Sequence, residues 1–301
     1  MISIAMTTFN GEKYISAQLD SILAQTISDF ELIICDDVSS DKTIEIIKQY
    51  ADKDARIKLF CNNRNLGFKK NFEQAITLCK GEYIALCDQD DVWTNDHLEI
   101  LLNNIGENYL IAGNNLLVDE NLNSLNISFF ESNLFTNKKY PGNIDVLKKI
   151  LLSGNCFQGA SMLLKREILS FYLPLPENIQ YHDSWLSALS CSLNKFTNNE
   201  TIVTKYRQHD KQVTHNSVNT VILKERISFC DEIEKLNIPL NPDIKLFLEQ
   251  VRLYFNNLTS IRKRLGQISF WTRNYVYLYP DLNYIRKPLR LLKFILVNRY
   301  R

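Results

Sequence analysis

The residues best able to do chemistry come in short polar clusters at the ends of apolar runs. Asp88, Asp90 and Asp91 stand within four residues, directly after Tyr83-Ile84-Ala85-Leu86. Like charges at that spacing repel unless a cation sits among them. A hard divalent ion, Mg²⁺ or Mn²⁺, suits oxygen ligands and can bridge to the diphosphate of a nucleotide. The same acids could instead cap a helix starting near Asn95. Asp36 and Asp37 close a second apolar run, and Thr7, Thr8 and Asn10 offer hydroxyl and amide groups after a first. Further on, Tyr181-His182-Asp183-Ser184-Trp185 opens an apolar helical stretch. A carboxylate at a helix N-terminus, with a histidine beside it, could be held ionised and aimed into a cleft, or could be a plain N-cap. In Tyr206-Arg207-Gln208-His209, His209 could bind metal or phosphate and Arg207 could face a leaving diphosphate.

Elements must place these groups together. Ile2 to Thr7, Glu31 to Cys35, Ile57 to Cys61 and Tyr83 to Leu86 are short, largely apolar runs. Runs of that kind read as strands buried on both faces, as in a parallel sheet covered by helices. Between them, Tyr14, Ile15, Leu19, Ile22 and Leu23, then Ile44, Ile47 and Tyr50, then Phe68, Phe72, Ala75, Ile76 and Cys79 recur at helical spacing. Four strand-helix units predict a doubly wound sheet with right-handed crossovers, whose ligands sit at the carboxyl ends of the strands. Glycine-rich dinucleotide and P-loop spacings are missing, so phosphate handling falls to the metal.

A chain of 301 residues can bury a large core in one elaborated domain, or in a domain with an appendage. The net charge of +1 conceals an asymmetry: from Ser260 on there are ten Lys or Arg against one acid, leaving 25 basic and 33 acidic residues before it. Seven scattered cysteines predict small buried hydrophobes in a reducing compartment. The N-terminus runs straight into a strand pattern, which predicts no signal peptide, and no window of about 20 apolar residues is present to span a bilayer. A cytoplasmic protein is expected.

Thr7-Thr8-Phe9-Asn10-Gly11, Asp36-Asp37-Val38-Ser39-Ser40-Asp41, Asn65-Leu66-Gly67 and Asp88-Gln89-Asp90-Asp91-Val92-Trp93 resemble, in order and spacing, the successive motifs of the family 2 inverting glycosyltransferases. The likeness covers about the first 210 residues. It implies the GT-A fold, a mainly parallel, Rossmann-like nucleotide-binding sheet flanked by helices, and transfer of a sugar from a nucleotide diphosphate. By resemblance, Asp37 contacts the base or its surroundings, Thr7, Thr8, Asn10, Asp36, Asn65 and Gln89 stand on the donor side, and Asp88 and Asp90 hold metal and sugar diphosphate. The motif does not fix a role for Asp91. An inverting transfer needs a base for the acceptor hydroxyl, and Asp183 stands where the family places one. His-Asp-x-Trp resembles the bacterial rhamnosyltransferase-like branch, in which a Tyr-Arg-x-His segment also recurs; this favours His209 as a metal ligand. The segment around Gly159 resembles the stretch beneath the acceptor site, though a close-packed glycine in a buried strand explains it equally. His182 and Trp185 are expected on the same acceptor side.

Tyr109 to Gly113 and Leu116 to Val118 predict further strand, Asn121 to Tyr140 an irregular insertion near the acceptor, and Thr201 to Lys205 a late strand. Two helices follow between Val218 and Arg264, so that residues 1–215 form the expected catalytic domain and 216–301 a helical appendage. Tyr284 to Arg301 carries six positive charges and no acid, and a helix from Pro288 would be basic and imperfectly amphipathic. It could rest on an anionic inner leaflet beside a glycan or lipid-linked acceptor, or dock on the appendage. Nucleic acid is not an expected partner. For the donor, dTDP-rhamnose is the first expectation and a UDP-hexose the second. A nucleotidyltransferase would show a basic, glycine-rich phosphate loop. A non-catalytic nucleotide-sugar-binding module would keep the sheet without needing Asp183.

Overall fold

A computed structural model describes residues 1–210, 219–258, 261–279, 287, 290 and 291. The first half alternates as the apolar runs require. Strands β1 (Ile2–Thr8), β2 (Phe30–Asp36), β3 (Ile57–Cys61) and β4 (Tyr83–Asp88) are separated by helices α1 (Ile15–Leu23), α2 (Thr43–Ala51) and α3 (Phe68–Leu78). Then come β5 (Val92–Trp93), α4 (His97–Asn104), β6 (Leu110–Val118), β7 (Ser124–Ser128), α5 (Phe129–Ser132) and α6 (Asn143–Ser153). After β8 (Met162–Lys165), α7 (Leu169–Tyr172), α8 (His182–Ser192) and β9 (Phe196–Arg207) the chain is helical: α9 (Asn219–Lys235), α10 (Pro242–Asn256), α11 (Ile261–Leu265), α12 (Ile268–Arg273) and α13 (Tyr275–Leu278).

The strands form one sheet in the order β3-β2-β1-β4-β8-β6-β9-β5, with β7 paired to β6 off that path. β1 to β4 are mutually parallel in the order 3-2-1-4, and β6 and β9 are parallel to each other. β8 runs antiparallel to both of its neighbours, β4 and β6. The register pairs Thr8 with Asp36 and Thr7 with Asp88, so the first, second and fourth strands end side by side.

Side-chain alternation shows why these runs lack polar residues. Ile4, Leu32, Ile34, Ala85 and Cys87 pack on one face with α1 and α4, while Ala5, Ile33, Cys35, Ile84 and Leu86 pack on the other with α3, α6 and α8. Successive residues of a strand point to opposite faces, so a sheet covered on both sides needs apolar residues at every position. The second face is the larger. It continues without a break from Trp185, Leu186 and Leu189 of α8 into Phe229, Ile233, Phe247, Val251, Trp271 and Tyr275 of the C-terminal helices.

The structure corrects several local expectations. Residues 121–140 contain β7 and α5 rather than irregular chain, and Phe130, Phe135 and Tyr140 are buried. A capping box starts α5: Glu131 N–H donates to Ser128 Oγ, and Ser128 N–H donates to Glu131 Oε2. Helix α4 begins at His97 with Asp96 before it, so Asp91 does not cap it. Of the seven cysteines Cys61 is exposed and the other six are buried. No helix among the described residues is long and apolar enough to cross a membrane. The basic segment from Tyr284 lies, apart from Lys287, Arg290 and Leu291, outside the described residues.

Candidate active site

The carboxyl ends of β1, β2 and β4, the start of α3 and the start of α8 enclose a cleft of about 520 Å³. Twelve of the residues singled out in the sequence line it: Thr7, Thr8, Asn10, Asp37, Asn65, Asp88, Gln89, Asp90, Gly159, His182, Asp183 and His209. Asp36, Arg207 and Trp185 do not. Phe9, Tyr14, Phe68, Phe72, Gln158, Tyr181 and Tyr206 line it as well. The sequence marked Tyr14, Phe68 and Phe72 only as apolar helix positions, because helical spacing does not say that the first turn of a helix opens on a cleft.

One wall is tightly hydrogen-bonded. Asp37 accepts Leu66 N–H at 2.7 Å, Gly67 N–H at 2.8 Å and Asn62 Nδ2 at 2.9 Å, and Asn65 Nδ2 donates to the Asp37 carbonyl. The Asn65-Leu66-Gly67 motif is therefore folded around the carboxylate of the second strand. Asp36 is fully buried and accepts Thr8 Oγ1, Ser39 N–H and Ser39 Oγ, which makes it a holder of the two strand-end turns, where a donor contact was expected. Asn10 sits at φ 49 and Val38 at φ 68, left-handed conformations stabilised by Asn10 N–H on Ser39 Oγ and Ser40 N–H on Asn10 Oδ1. Gln89 exchanges both of its amide hydrogen bonds with the Phe9 backbone. A Cβ on Gly11 would come 2.2 Å from Gln89 Oε1, so a larger residue there would displace the Gln89 amide from the Phe9 backbone.

The carboxylates of the fourth strand take three different positions. Asp90 Oδ2 lies 2.9 Å from His209 Nε2, joining two residues expected to share a metal. Asp88 faces the cleft, and burial together with the charges of Asp90 and Asp183 pushes its carboxyl well above the usual range. Asp91 is fully buried and turned away, accepting Arg207 N–H and Gln158 Nε2, each at 3.0 Å. Arg207 is itself buried beneath the motif, with Nε on the Asp90 carbonyl and the guanidinium 4.6 Å over the Tyr14 ring. Its charge thus fastens the acidic loop, in place of the expected contact with a leaving diphosphate.

Across the cleft, Asp183 occupies the first turn of α8, and Ser184 N–H donates to its Oδ1 at 2.6 Å. Burial lifts its pKa to about 6; the Ser184 groups and the Gly159 amide oppose that rise, and the charge of Glu225 adds to it. His182 gives no ionic help, contrary to expectation, because burial drops its pKa to about 3 and leaves the ring neutral. The imidazole stacks on Phe72 at 4.1 Å, and neither ring nitrogen has a hydrogen-bond partner among the described residues. Gly159 lies against it: a Cβ there would meet His182 Nε2 at 3.1 Å. Trp185, expected on the acceptor side, is buried with Nε1 donating to the Tyr172 carbonyl and its ring stacked on Phe229.

Asp88 and Asp90 stand opposite Asp183 across a cleft at the carboxyl edge of the parallel strands, the edge at which sheets of this kind bind their ligands. The description "Glycosyl transferase family 2" matches residues 3–170. The chain belongs to that family. The matched stretch contains all four motifs and the Gly159 segment and ends before α8. An uncharacterized glycosyltransferase of Haemophilus influenzae is 37% identical over 61% of this chain and 68% of its own. The Escherichia coli protein WfgD, named a UDP-Glc:alpha-D-GlcNAc-diphosphoundecaprenol beta-1,3-glucosyltransferase, is 30% identical over 72% of this chain and 80% of its own. Among solved structures, residues 1–349 of Staphylococcus aureus TarS in complex with UDP-GlcNAc superpose with a TM-score of 0.63 at 17% identity, covering 98% of this chain and 81% of that one. A mannosyltransferase of Pyrobaculum calidifontis, in complex with GDP-Man and Mn²⁺, gives 0.58 at 13% identity over 99% and 84%. These likenesses give the fold as GT-A.

Among the described residues no group of three or more His, Cys, Asp or Glu side chains forms a ready-made metal cage. The donor set nonetheless fits Mg²⁺ or Mn²⁺, which are commonly bound by one or two carboxylates together with substrate phosphates. Burial first, and then the charges of Asp90 and Asp183, disfavour the ionised form of Asp88, and a divalent ion beside it would favour that form.

Proposed function

We propose that this glycosyltransferase works with inversion, moving a sugar from a nucleotide diphosphate sugar to a hydroxyl of a glycan or lipid-linked glycan. The observation that carries the reading is Asp183, a carboxyl with a pKa of about 6, facing Asp88 and Asp90 across one cleft. Asp88 and Asp90, with His209 behind Asp90, would hold the metal, which neutralises charge on the departing diphosphate. The wall built on Asp37 and Asn65 receives the nucleoside, and Thr7, Thr8, Asn10 and Gln89 shape its floor. Asp183 takes the proton of the attacking hydroxyl; a pKa near working pH combines a useful ionised fraction with adequate basicity. Gly159 gives the acceptor room above the neutral ring of His182.

The likeness to WfgD, named for a UDP-Glc donor, supports a UDP-hexose ahead of dTDP-rhamnose. We assign residues 1–215 to the catalytic part and 216–301 to a C-terminal region, whose basic end would serve contact with anionic lipid near a lipid-linked acceptor. Asp183→Asn decides the central point. It should keep donor binding, measured by calorimetry with Mn²⁺, and lose turnover by about 10²-fold or more. Undiminished turnover in Asp183→Asn would remove Asp183 as the base, and undiminished activity in EDTA would remove the metal.

A further inference from the structure

The nine residues from Leu173 to Tyr181, which lead into α8, form neither helix nor strand. Backbone groups in such a segment need partners from elsewhere, and two helices supply them with charged side chains. Lys69 Nζ, in the first turn of α3, donates to the carbonyls of Pro176 at 3.0 Å, Glu177 at 3.1 Å and Ile179 at 2.8 Å. Glu225 Oε1, on α9, accepts Gln180 N–H at 2.8 Å and Tyr181 N–H at 3.4 Å. Glu73 adds a bond from Leu175 N–H at 3.2 Å. We propose that Lys69 and Glu225 are the positioning pair of the base, an ammonium and a carboxylate gripping the segment before Asp183 from α3 and α9 and fixing where its carboxylate stands.

Three features support this beyond ordinary loop anchoring. The grip ends two residues before Asp183, and Tyr181, whose N–H Glu225 holds, accepts Trp185 N–H through its carbonyl at the helix start. Lys69 follows directly on the Asn65-Leu66-Gly67 turn that wraps Asp37, so the same helix carries the donor wall and one half of the grip. Glu225 is only 9% exposed, and its charge-assisted bonds are made where water competes little. It faces Lys69 and Arg226. Asp183 faces Glu225 and Asp88, with the Ser184 and Gly159 amides and the neutral His182 beside it. Placement matters because a displacement of about 1 Å of a reacting group can cost on the order of 10²-fold in rate.

The proposal rests on Asp183 as the base, and the experiment separates the two. Full-length Glu225→Ala, Glu225→Gln, Lys69→Met and Asp183→Asn are compared for kcat, donor KM and melting temperature. Glu225→Ala and Lys69→Met should lower kcat about tenfold or more with donor KM unchanged. Glu225→Gln keeps the accepting oxygen and should restore kcat, while the acid limb of its pH profile moves to lower pH because a negative charge facing Asp183 is gone. Full kcat in Glu225→Ala beside an inactive Asp183→Asn would overturn the positioning role alone; an active Asp183→Asn would overturn the base. If Glu225→Ala does not fold, an unshifted acid limb in Glu225→Gln together with an unchanged kcat in Lys69→Met overturns the proposal.

Discussion

The two walls of the cleft are built on opposite principles. On the donor wall nearly every polar side chain is bonded inside the protein: Asp36 and Asp37 accept three hydrogen bonds each, and Gln89 uses both ends of its amide. On the wall of α8, His182 has neither ring nitrogen partnered among the described residues, and Asp183 is lifted to a pKa of about 6 by burial. A satisfied wall holds its shape before a ligand arrives. An unsatisfied one keeps donors and acceptors for a substrate and carries a stability penalty for doing so. The contrast separates shape from reactivity within one site.

The sharpest way to break it is Asp37→Ala. Leu66 N–H, Gly67 N–H and Asn62 Nδ2 would all lose their acceptor, which should cost about 3 kcal/mol in urea unfolding and abolish donor binding. Stability close to the wild type would mean the donor wall is not held by that carboxylate. Next comes pH. Asp183 acts only when ionised, so log kcat should fall with unit slope below about pH 6, and Asp183→Asn has no such limb to show. The same carboxyl has a folded pKa above its usual 3.8, so the native state binds more protons and its contribution to stability declines as pH rises from about 4 through about 6. Asp183→Asn should therefore melt higher at pH 7.5 by about 2 °C, and lose that advantage at pH 4. An equal or lower melting temperature at pH 7.5 would remove the stability penalty from the α8 wall. The smallest effect is expected for Gly159→Ala. Its Cβ would press on His182 Nε2, costing about 1 kcal/mol or less in stability and raising acceptor KM with donor KM unchanged. Parallel losses for both substrates would show that Gly159 serves packing alone.

Much of the donor wall was legible because it is local. Three of the motifs begin in the last one or two residues of their own strand and the Asn65 motif follows β3 within four, and the apolar runs of β1, β2 and β4 set both the parallel sheet and the edge where the motifs gather. Beyond 218, α9 and α10 stand where two helices were expected, α10 legible from the spacing of Ile244, Phe247, Leu248 and Val251, whereas α11 to α13 were not read from the sequence. The Ser128-x-x-Glu131 capping box was also written in the sequence, and it starts a helix inside a stretch whose polarity suggested loop.

What tertiary structure alone decided concerns partners far apart in the chain. Nothing near Arg207 says that its guanidinium will lie under Tyr14 and hold the Asp90 carbonyl, and nothing near Asp91 says that it will meet Gln158 and the Arg207 amide. The antiparallel insertion of β8 between β4 and β6 likewise depends on pairing across the sheet. The sequence by itself determined the elements and the type of chemistry, because periodicity and residue type are local properties. Only the folded structure determined which charges are spent on structure and which remain for substrate, because desolvation and hydrogen-bond satisfaction are set by whatever packs against a side chain from the rest of the molecule.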